Sequence, residues 1–295
     1  MKKCLFSISY AGLWGQDRLD LLDFISKAAN LGYDGVMIAG KRPHLSPLDA
    51  TPERLAEVKA RLDQEGIACA VIGGYTDFSG AAPPMVPVPE MQIAYVESLA
   101  RIAAALGANV VRVFTGFEIE GQSVEAVWER VVEALQECSD RAAAHGVTIA
   151  VQNHHDIGVH TDAMMELLRD IDRPNCKLGF DAWTLALRGE DVYEAAKRAA
   201  PHVAITTNAD YVRLPRARYR PDVENYELME PPLMRAVPFG DGFIDYKGFF
   251  RGLKEGGFDG VTTYEMCARL RGGGSMENLD FCARRYLAWM KEQNL

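Results

Sequence analysis

The feature that most constrains the fold is a recurring unit in which an amphipathic helix ends at a glycine and a short apolar run follows. Five copies are clear: "AANLGYDGVMI", "RLDQEGIACAVIG", "AAALGANVVRVF", "AAAHGVTIAVQN" and "LKEGGFDGVTTYE". Glycine suits the position just past a helix, because the left-handed backbone conformation there is strained for a residue with a Cβ. The runs that follow are rich in Val, Ile and Thr with little polar alternation, which is typical of strands covered on both faces.

Extending this unit along the chain predicts eight strands that alternate with eight helices. The predicted strands are 4–8, 35–38, 68–72, 110–114, 148–151, 177–180, 203–207 and 260–264, and the predicted helices are 19–31, 52–64, 91–106, 124–145, 162–171, 190–199, 246–255 and 277–291. Such alternation indicates a parallel α/β fold. Eight units within 295 residues favour a single (β/α)8 TIM-barrel domain over residues 1–295. An open doubly wound sheet is the alternative, but "SYAGLWGQ" lacks its GxGxxG turn.

Two segments exceed the usual length of a connection, namely 75–89 and 211–243. Loops this long in a compact domain are usually functional. We expect both to be long loops over the active-site face of the barrel. The second contains four arginines and three tyrosines between positions 211 and 226, so it either covers a polar ligand or forms a subunit contact in a homo-oligomer.

Composition excludes several classes of function. The net charge of −9 argues against a nucleic-acid partner, which requires a clustered basic surface. No run approaches the roughly 20 apolar residues of a membrane span. The six cysteines are scattered without a CxxC pair, and the N-terminal apolar run is broken by Ser7, Ser9 and Tyr10. We therefore expect a cytoplasmic protein without disulfides or a signal peptide.

Polar residues at the ends of the predicted strands are the candidates for chemistry, because the active site of a barrel lies at the carboxyl ends of its strands. The fifth strand runs into "QNHHD" at 152–156. Asp181 and Glu265 end two further strands, and two carboxylates in one cup repel unless they share a cation or a proton. Arg112 lies inside an apolar strand, where a buried guanidinium needs a carboxylate or an anionic ligand.

These pieces carry a family resemblance. The segments "LGYDGV", "AVQNHHD", "LGFDAW", "ITTNADY" and "GDGFIDYKGFFRGLKEGGFDGVTTYE" resemble the xylose-isomerase-like barrel superfamily of sugar isomerases and epimerases, which also contains inosose dehydratases, dehydroshikimate dehydratases and endonuclease IV. The resemblance covers nearly the whole chain. It implies a divalent metal (Mn, Mg, Zn or Fe) held by Glu, Asp, His and Glu on strands five to eight, with the two Glu also moving protons.

The match to that ligand pattern is partial. Asp181 and Glu265 fit it, but Gln152 stands at the strand-five Glu position and Thr207 at the strand-seven His position. Because an amide cannot accept a proton, the two-carboxylate mechanism cannot run unchanged. We expect Glu265 to act as the base and His154, His155 or Asp156 to carry the second proton, with a histidine favoured by its ordinary pKa. We expect the metal ligands to be Gln152, Asp181, Glu265 and His155.

The resemblance implies a small-molecule carbohydrate as the partner. We expect an isomerase or epimerase that abstracts a proton next to the carbonyl of a keto-sugar or polyol-derived substrate. A keto-sugar lyase or dehydratase is the alternative, and a sugar-binding barrel without turnover is a third; the acidic charge and the altered ligands disfavour an endonuclease. The predicted substrate contacts are Trp14, His44, Arg112, Trp183, Asn208 and Arg271, with Lys41 and Phe114 as further candidates.

Overall fold

The computed structural model describes residues 1–80 and 85–295, so residues 81–84 of the segment 75–89 lie outside the described part. The strands of the described part are β1 (Lys2–Phe6), β2 (Gly35–Ala39), β3 (Ala68–Gly73), β4 (Val110–Val113), β5 (Thr148–Gln152), β6 (Cys176–Asp181), β7 (Val203–Asn208), β8 (Asp210–Arg220), β9 (Asn225–Val237) and β10 (Val261–Tyr264). Strands β1 to β7 and β10 form a closed parallel barrel in which β10 lies between β7 and β1. The predicted (β/α)8 barrel is confirmed, and the open sheet is excluded.

The helices of the same residues are α1 (Leu21–Leu31), α2 (Pro52–Glu65), α3 (Val88–Leu106), α4 (Val124–Ala143), α5 (Thr161–Ile171), α6 (Ala182–Arg188), α7 (Val192–Ala199), α8 (Tyr246–Glu255) and α9 (Met276–Glu292). The glycines that follow α1, α2 and α3 adopt the left-handed conformation with φ of 92°, 64° and 77°. At the starts of α2 and α9, Thr51 and Ser275 accept a hydrogen bond from a backbone N–H of the first turn. Local sequence therefore sets most helix ends.

Helix α6 was not predicted. It follows β6 without a connection, because the Asp181 carboxylate accepts the backbone N–H of Trp183 and starts the helix. Its seven residues are too few to show a helical period.

The start of the barrel differs from the predicted strand 4–8. The strand ends at Phe6, and Ser7–Tyr10 forms a 3-10 turn. The hydroxyls of this turn join neighbouring elements, since Ser7 Oγ accepts the N–H of Ala39 and Ser9 Oγ accepts the N–H of Met266.

The segment 211–243 contains a β-hairpin rather than an irregular loop. Strands β8 and β9 pair in antiparallel register from Asp210↔Val237 to Arg220↔Asn225. Most of their side chains are exposed, so no face is buried and no hydrophobic alternation marks the strands in the sequence. At the base, the Asp210 carboxylate accepts backbone N–H groups of Tyr211, Gly240 and Gly242 at 2.9 Å.

The core has two layers. Phe6, Ile8, Met37, Val71 and Ile205 pack inside the barrel, and a larger apolar cluster lies between the strands and the surrounding helices. No helix within the described ranges combines the length and apolar character needed to cross a bilayer.

Candidate active site

A cavity of about 380 Å³ opens at the carboxyl ends of the barrel strands. Several predicted site residues meet in its wall, which is made by Phe6, Ile8, Trp14, Lys41, Tyr75, Arg112, Phe114, Gln152, His154, His155, Glu265 and Cys267. Grooves of similar size lie on the outside of the barrel, for example one that is lined in part by Lys59 and Asp63 of α2. The mouth of the barrel gathers buried titratable groups, so we take it as the candidate active site.

Asp181 and Glu265 form a buried carboxyl pair at this mouth, with 4% and 8% of their surface exposed. Burial raises the pKa of Asp181 to about 7, and the charge of Glu265 contributes to the same shift. Burial also raises the pKa of Glu265, although Arg112 and the Cys267 thiol partly offset the effect. The two carboxyls are thus electrostatically coupled and hold protons more tightly than exposed carboxyls do.

The amides after β5 have different roles. Asn153 is structural, because its Oδ1 accepts the N–H of Asp181 at 2.7 Å and its Nδ2 donates to the Asp181 carbonyl at 3.0 Å. Gln152 Nε2 donates to Asp181 Oδ2 at 3.1 Å, whereas Gln152 Oε1 is buried without a partner. One acceptor on Gln152 is therefore left for a ligand.

The two histidines are held in the neutral form. The backbone N–H of His155 donates a hydrogen bond to His154 Nδ1 at 2.8 Å, so the ring proton of His154 is on Nε2. Burial, followed by the neighbouring charges of His155 and Arg112, lowers the pKa of His154 to about 4. Burial likewise lowers the pKa of His155. Neither imidazole is a cationic acid at neutral pH.

His155 is also conformationally unusual. Its φ is 67°, a left-handed value that costs energy in a residue with a side chain. Its ring lies 4.2 Å from that of Phe117 and 4.5 Å from that of Phe114. Aromatic packing therefore holds the strained turn at the cavity wall.

The structure differs from the predicted set of metal ligands at one residue, His155. In the part of the chain that the structure describes, no three His, Cys, Asp or Glu side chains group closely enough to hold a metal ion, so His155 does not join Asp181 and Glu265. The donors beside that pair are oxygens: Gln152 Oε1 and Thr207 Oγ1 are both buried without a partner, and Thr207 pairs with Asp181 across the sheet. Oxygen donors with two carboxylates fit a hard cation such as Mg²⁺ or Mn²⁺ better than Zn²⁺.

Three predicted substrate contacts lie away from the cavity. Asn208 Nδ2 donates to Thr206 Oγ1 and to two acceptors on β10 within the sheet. His44 is buried beside the Phe24 ring, with Nε2 3.4 Å from the Leu19 carbonyl oxygen. Arg271 is an exposed residue whose backbone pairs with Ala236.

Trp183 does not line the cavity but packs beside a residue that does. Its ring lies 5.8 Å from that of His154 and 5.6 Å from that of Tyr211. The structure therefore gives it a role in supporting His154.

Four lining residues were not predicted from the sequence: the apolar Phe6 and Ile8, and two that carry a polar group, Tyr75 and Cys267. Tyr75 follows the end of β3 and places its buried hydroxyl, without a partner, beside the cavity. Cys267 Sγ lies 3.6 Å from Glu265 Oε1 and 3.7 Å from the Tyr211 hydroxyl. In an extended chain, side chains two residues apart point to the same side. The spacing of two residues from Glu265 is therefore the sequence signal for Cys267.

Comparison with curated proteins places the chain near two dehydratases. It is 28% identical over 174 residues to inosose dehydratase from Lacticaseibacillus casei, a match that covers 55% of this chain and 58% of that relative. It is 20% identical over 264 residues to 3-dehydroshikimate dehydratase from Bacillus anthracis, with 86% and 88% covered. The first match thus spans little more than half of its relative.

Among solved structures, D-psicose 3-epimerase from Clostridium cellulolyticum superposes with a TM-score of 0.76 at 17% identity, covering 99% of both chains. At this identity the likeness shows the fold alone. Residues 25–292 match the family described as xylose isomerase-like TIM barrel. With a closed barrel that carries Asp181 and Glu265 at the strand ends, this chain belongs to the xylose isomerase-like TIM-barrel family.

Proposed function

We propose that the protein is an enzyme that removes a proton from the carbon next to the carbonyl of a keto-sugar or related polyol. The observation that carries the proposal is Glu265, a carboxylate that lines the cavity and whose pKa is raised by burial. A carboxylate with a raised pKa is a stronger base, and a carbon next to a carbonyl needs such a base at neutral pH.

His154 is the group we assign to the substrate oxygen. As a neutral imidazole with its proton on Nε2, it donates a hydrogen bond without carrying a charge. Such a donor stabilises the negative charge that develops on the oxygen as the proton leaves the carbon.

A hard divalent cation would be held by Gln152, Asp181 and Glu265 with Thr207 beside them, and when bound it would polarise the substrate carbonyl. The residues themselves bind and orient the substrate, exclude water and move the proton. Glu265 takes the proton from carbon, and His154 holds the oxygen in place.

Dehydration is the outcome that the site supports best. Epimerisation returns a proton to the opposite face of the carbon and so calls for a second base, but Gln152 occupies the strand end where the family resemblance implies one. Loss of a hydroxyl group needs no second base, because Glu265 passes the proton that it took from carbon to the departing hydroxyl, which leaves as water. Dehydratases among the matched relatives support this choice.

Isomerisation of a keto-sugar is the second candidate. It requires one base that removes a proton from one carbon and returns it to the next, and Glu265 alone satisfies that requirement. A superposable epimerase supports the scaffold but not the reaction.

The test is incubation with a panel of keto-sugars and keto-polyols in deuterated water. Dehydration produces an unsaturated carbonyl compound that absorbs in the ultraviolet, whereas isomerisation and epimerisation place deuterium on carbon beside the carbonyl. Neither product across the panel, with sugar binding seen by calorimetry, would indicate a sugar-binding protein instead.

Glu265→Gln tests the assigned base. We expect the turnover rate to fall by about 10³-fold, because general base catalysis contributes 10²–10⁴-fold. Glu255→Gln is the matched control, since Glu255 pairs with Lys197 on the outer surface of α8. Retention of more than a tenth of the rate in Glu265→Gln, with an unchanged unfolding temperature, would contradict the assignment.

A further inference from the structure

The cavity contains a buried guanidinium whose hydrogen-bonding capacity is only partly used. Arg112 is 1% exposed, and its Nη1 donates to the Gly74 carbonyl at 2.9 Å. Its Nε is buried without a hydrogen-bond partner. None of the ion pairs within residues 1–80 and 85–295 includes Arg112. A buried charge left in this state is costly unless something else compensates it.

A second cation stands beside the first. Lys41 Nζ lies 3.6 Å from the centre of the Tyr75 ring, and the Arg112 guanidinium carbon lies 5.0 Å from the centre of the same ring. Burial and the charge of Arg112 both lower the pKa of Lys41. The described ion pairs do not include Lys41 either, so two cations share one wall without a carboxylate partner.

The carboxyls of the site compensate this wall only through space. Among the described residues neither Asp181 nor Glu265 forms an ion pair with Arg112 or Lys41, and the charge of Arg112 acts on the two carboxyls from beyond ion-pair distance. The buried Tyr75 hydroxyl, also without a partner, adds a neutral donor to the same wall.

We propose that the substrate carries an oxyanion, either a carboxylate or a phosphate. Arg112 and Lys41, the two cationic residues of the cavity wall, bind this group. The free Arg112 Nε and the Lys41 ammonium are charge-assisted donors suited to such a group. The substrate class then narrows from neutral keto-sugars to keto-sugar acids or keto-sugar phosphates. This inference rests on the proposed function for the identity of the ligand as substrate, but the anion site itself is testable without turnover.

The first experiment uses simple anions on the whole protein. Inorganic phosphate and acetate should each raise the thermal unfolding midpoint of the wild type more than matched additions of chloride do. Lys41→Gln should lose that increment, and Lys41→Arg should keep it. Lys59→Gln, which removes an exposed lysine of α2 outside the cavity, is the control and should behave as the wild type. An equal response of the wild type and Lys41→Gln to both anions would overturn the proposal.

The second experiment distinguishes the two sources of the anion. Calorimetric titration compares D-fructuronate and D-fructose 6-phosphate with neutral D-fructose. At least one anion should bind 10-fold or more tighter than fructose, with an affinity that falls as salt rises. The tighter of the two identifies carboxylate or phosphate. No preference for either anion over fructose would overturn the inference.

Glu265→Gln separates this inference from the proposed function. A variant without its base should keep or strengthen the anion preference while losing turnover. Anion binding by a protein that turns over no keto compound would sink the proposed function but leave the anion site standing. Arg112→Lys, which keeps the charge but lacks Nε, should bind the preferred anion at least 5-fold more weakly.

Discussion

Gln152 alters the charge of the site at the point where the family resemblance implies a glutamate. Its Nε2 donates a hydrogen bond to Asp181 Oδ2, and Asp181 and Glu265 are the two buried carboxyls of the mouth. Arg112 and Lys41 line the same cavity, and neither has an ion-pair partner among the described residues. With one negative charge fewer, the balance of the cavity shifts toward anionic ligands.

The burial of His44 lowers the pKa of its imidazole to about 4. In the unfolded chain its pKa is about 6.5, so the unfolded state binds the proton better than the folded state does. The free energy of unfolding that the neutral, buried imidazole contributes is fully present above pH 6.5 and is lost as the pH falls toward 4. We expect His44→Gln to reduce the loss of unfolding free energy between pH 7 and pH 5 by about 2 kcal/mol.

Urea unfolding at pH 7, 6 and 5 measures this difference. His202→Gln changes an exposed histidine and is the control, which should keep the pH dependence of the wild type. A His44→Gln variant with the same pH dependence as the wild type would show that the imidazole is not the group responsible.

At the level of elements, the hairpin of β8 and β9 is held at its base and free at its tip. The Asp210 carboxylate binds three backbone N–H groups, and a Cβ at Gly242 would lie 1.8 Å from Asp210 Oδ1. At the tip, Tyr226 and Leu228 are 66% and 77% exposed. The base therefore contributes to the stability of the barrel, whereas the tip does not.

Two variants of the hairpin should thus differ in stability. Replacing residues 217–228 by Asn-Gly closes a two-residue turn on the pair Arg216↔Met229 and should shift the unfolding midpoint by less than about 3 °C. Asp210→Asn should cost about 2 kcal/mol, because an amide has one acceptor oxygen in place of two and leaves at least one of these backbone N–H groups without a partner. Calorimetry measures both. A large loss of stability in the shortened variant would mean that the tip contacts the barrel.

For the whole molecule, the tight packing of the barrel interior positions the site. A Cβ at Gly73 in β3 would lie 2.8 Å from atoms of Phe6 and Met37, both packed inside the barrel. Phe6 also lines the cavity beside Arg112. The floor of the active site is therefore continuous with the barrel core.

A matched pair of glycines tests this packing. Gly73→Ala should destabilise the fold by about 1–3 kcal/mol, because overpacking forces its neighbours to move. Gly179→Ala places a Cβ at 3.5 Å from its neighbours, an ordinary contact, and should change the free energy of unfolding by less than about 0.5 kcal/mol. Urea unfolding of both variants checks the difference. Equal costs would contradict the packing argument.

The sequence predicted the barrel but only part of the site. Glu265, Gln152, His154, His155 and Arg112 were predicted and line one cavity. Their positions follow from the strand-end rule, which needs only the element order. Tyr75 was missed because a tyrosine after a strand does not stand out from ordinary packing, and Cys267 is recognisable only by its spacing from Glu265. Asn208 was assigned to substrate, yet the threonines of β7 and β10 take its amide hydrogens.

By itself, the sequence determined the alternation of helix, glycine and β-branched run, and with it the closed barrel and the strand ends at which Asp181 and Glu265 stand. These follow from backbone conformation and hydrophobic period, which are local properties. Only the tertiary structure decided the neutral state of His154 and the isolation of Arg112 and Lys41 from any ion-pair partner among the described residues. Burial and charge contacts depend on residues far apart in the chain, so no local pattern encodes them.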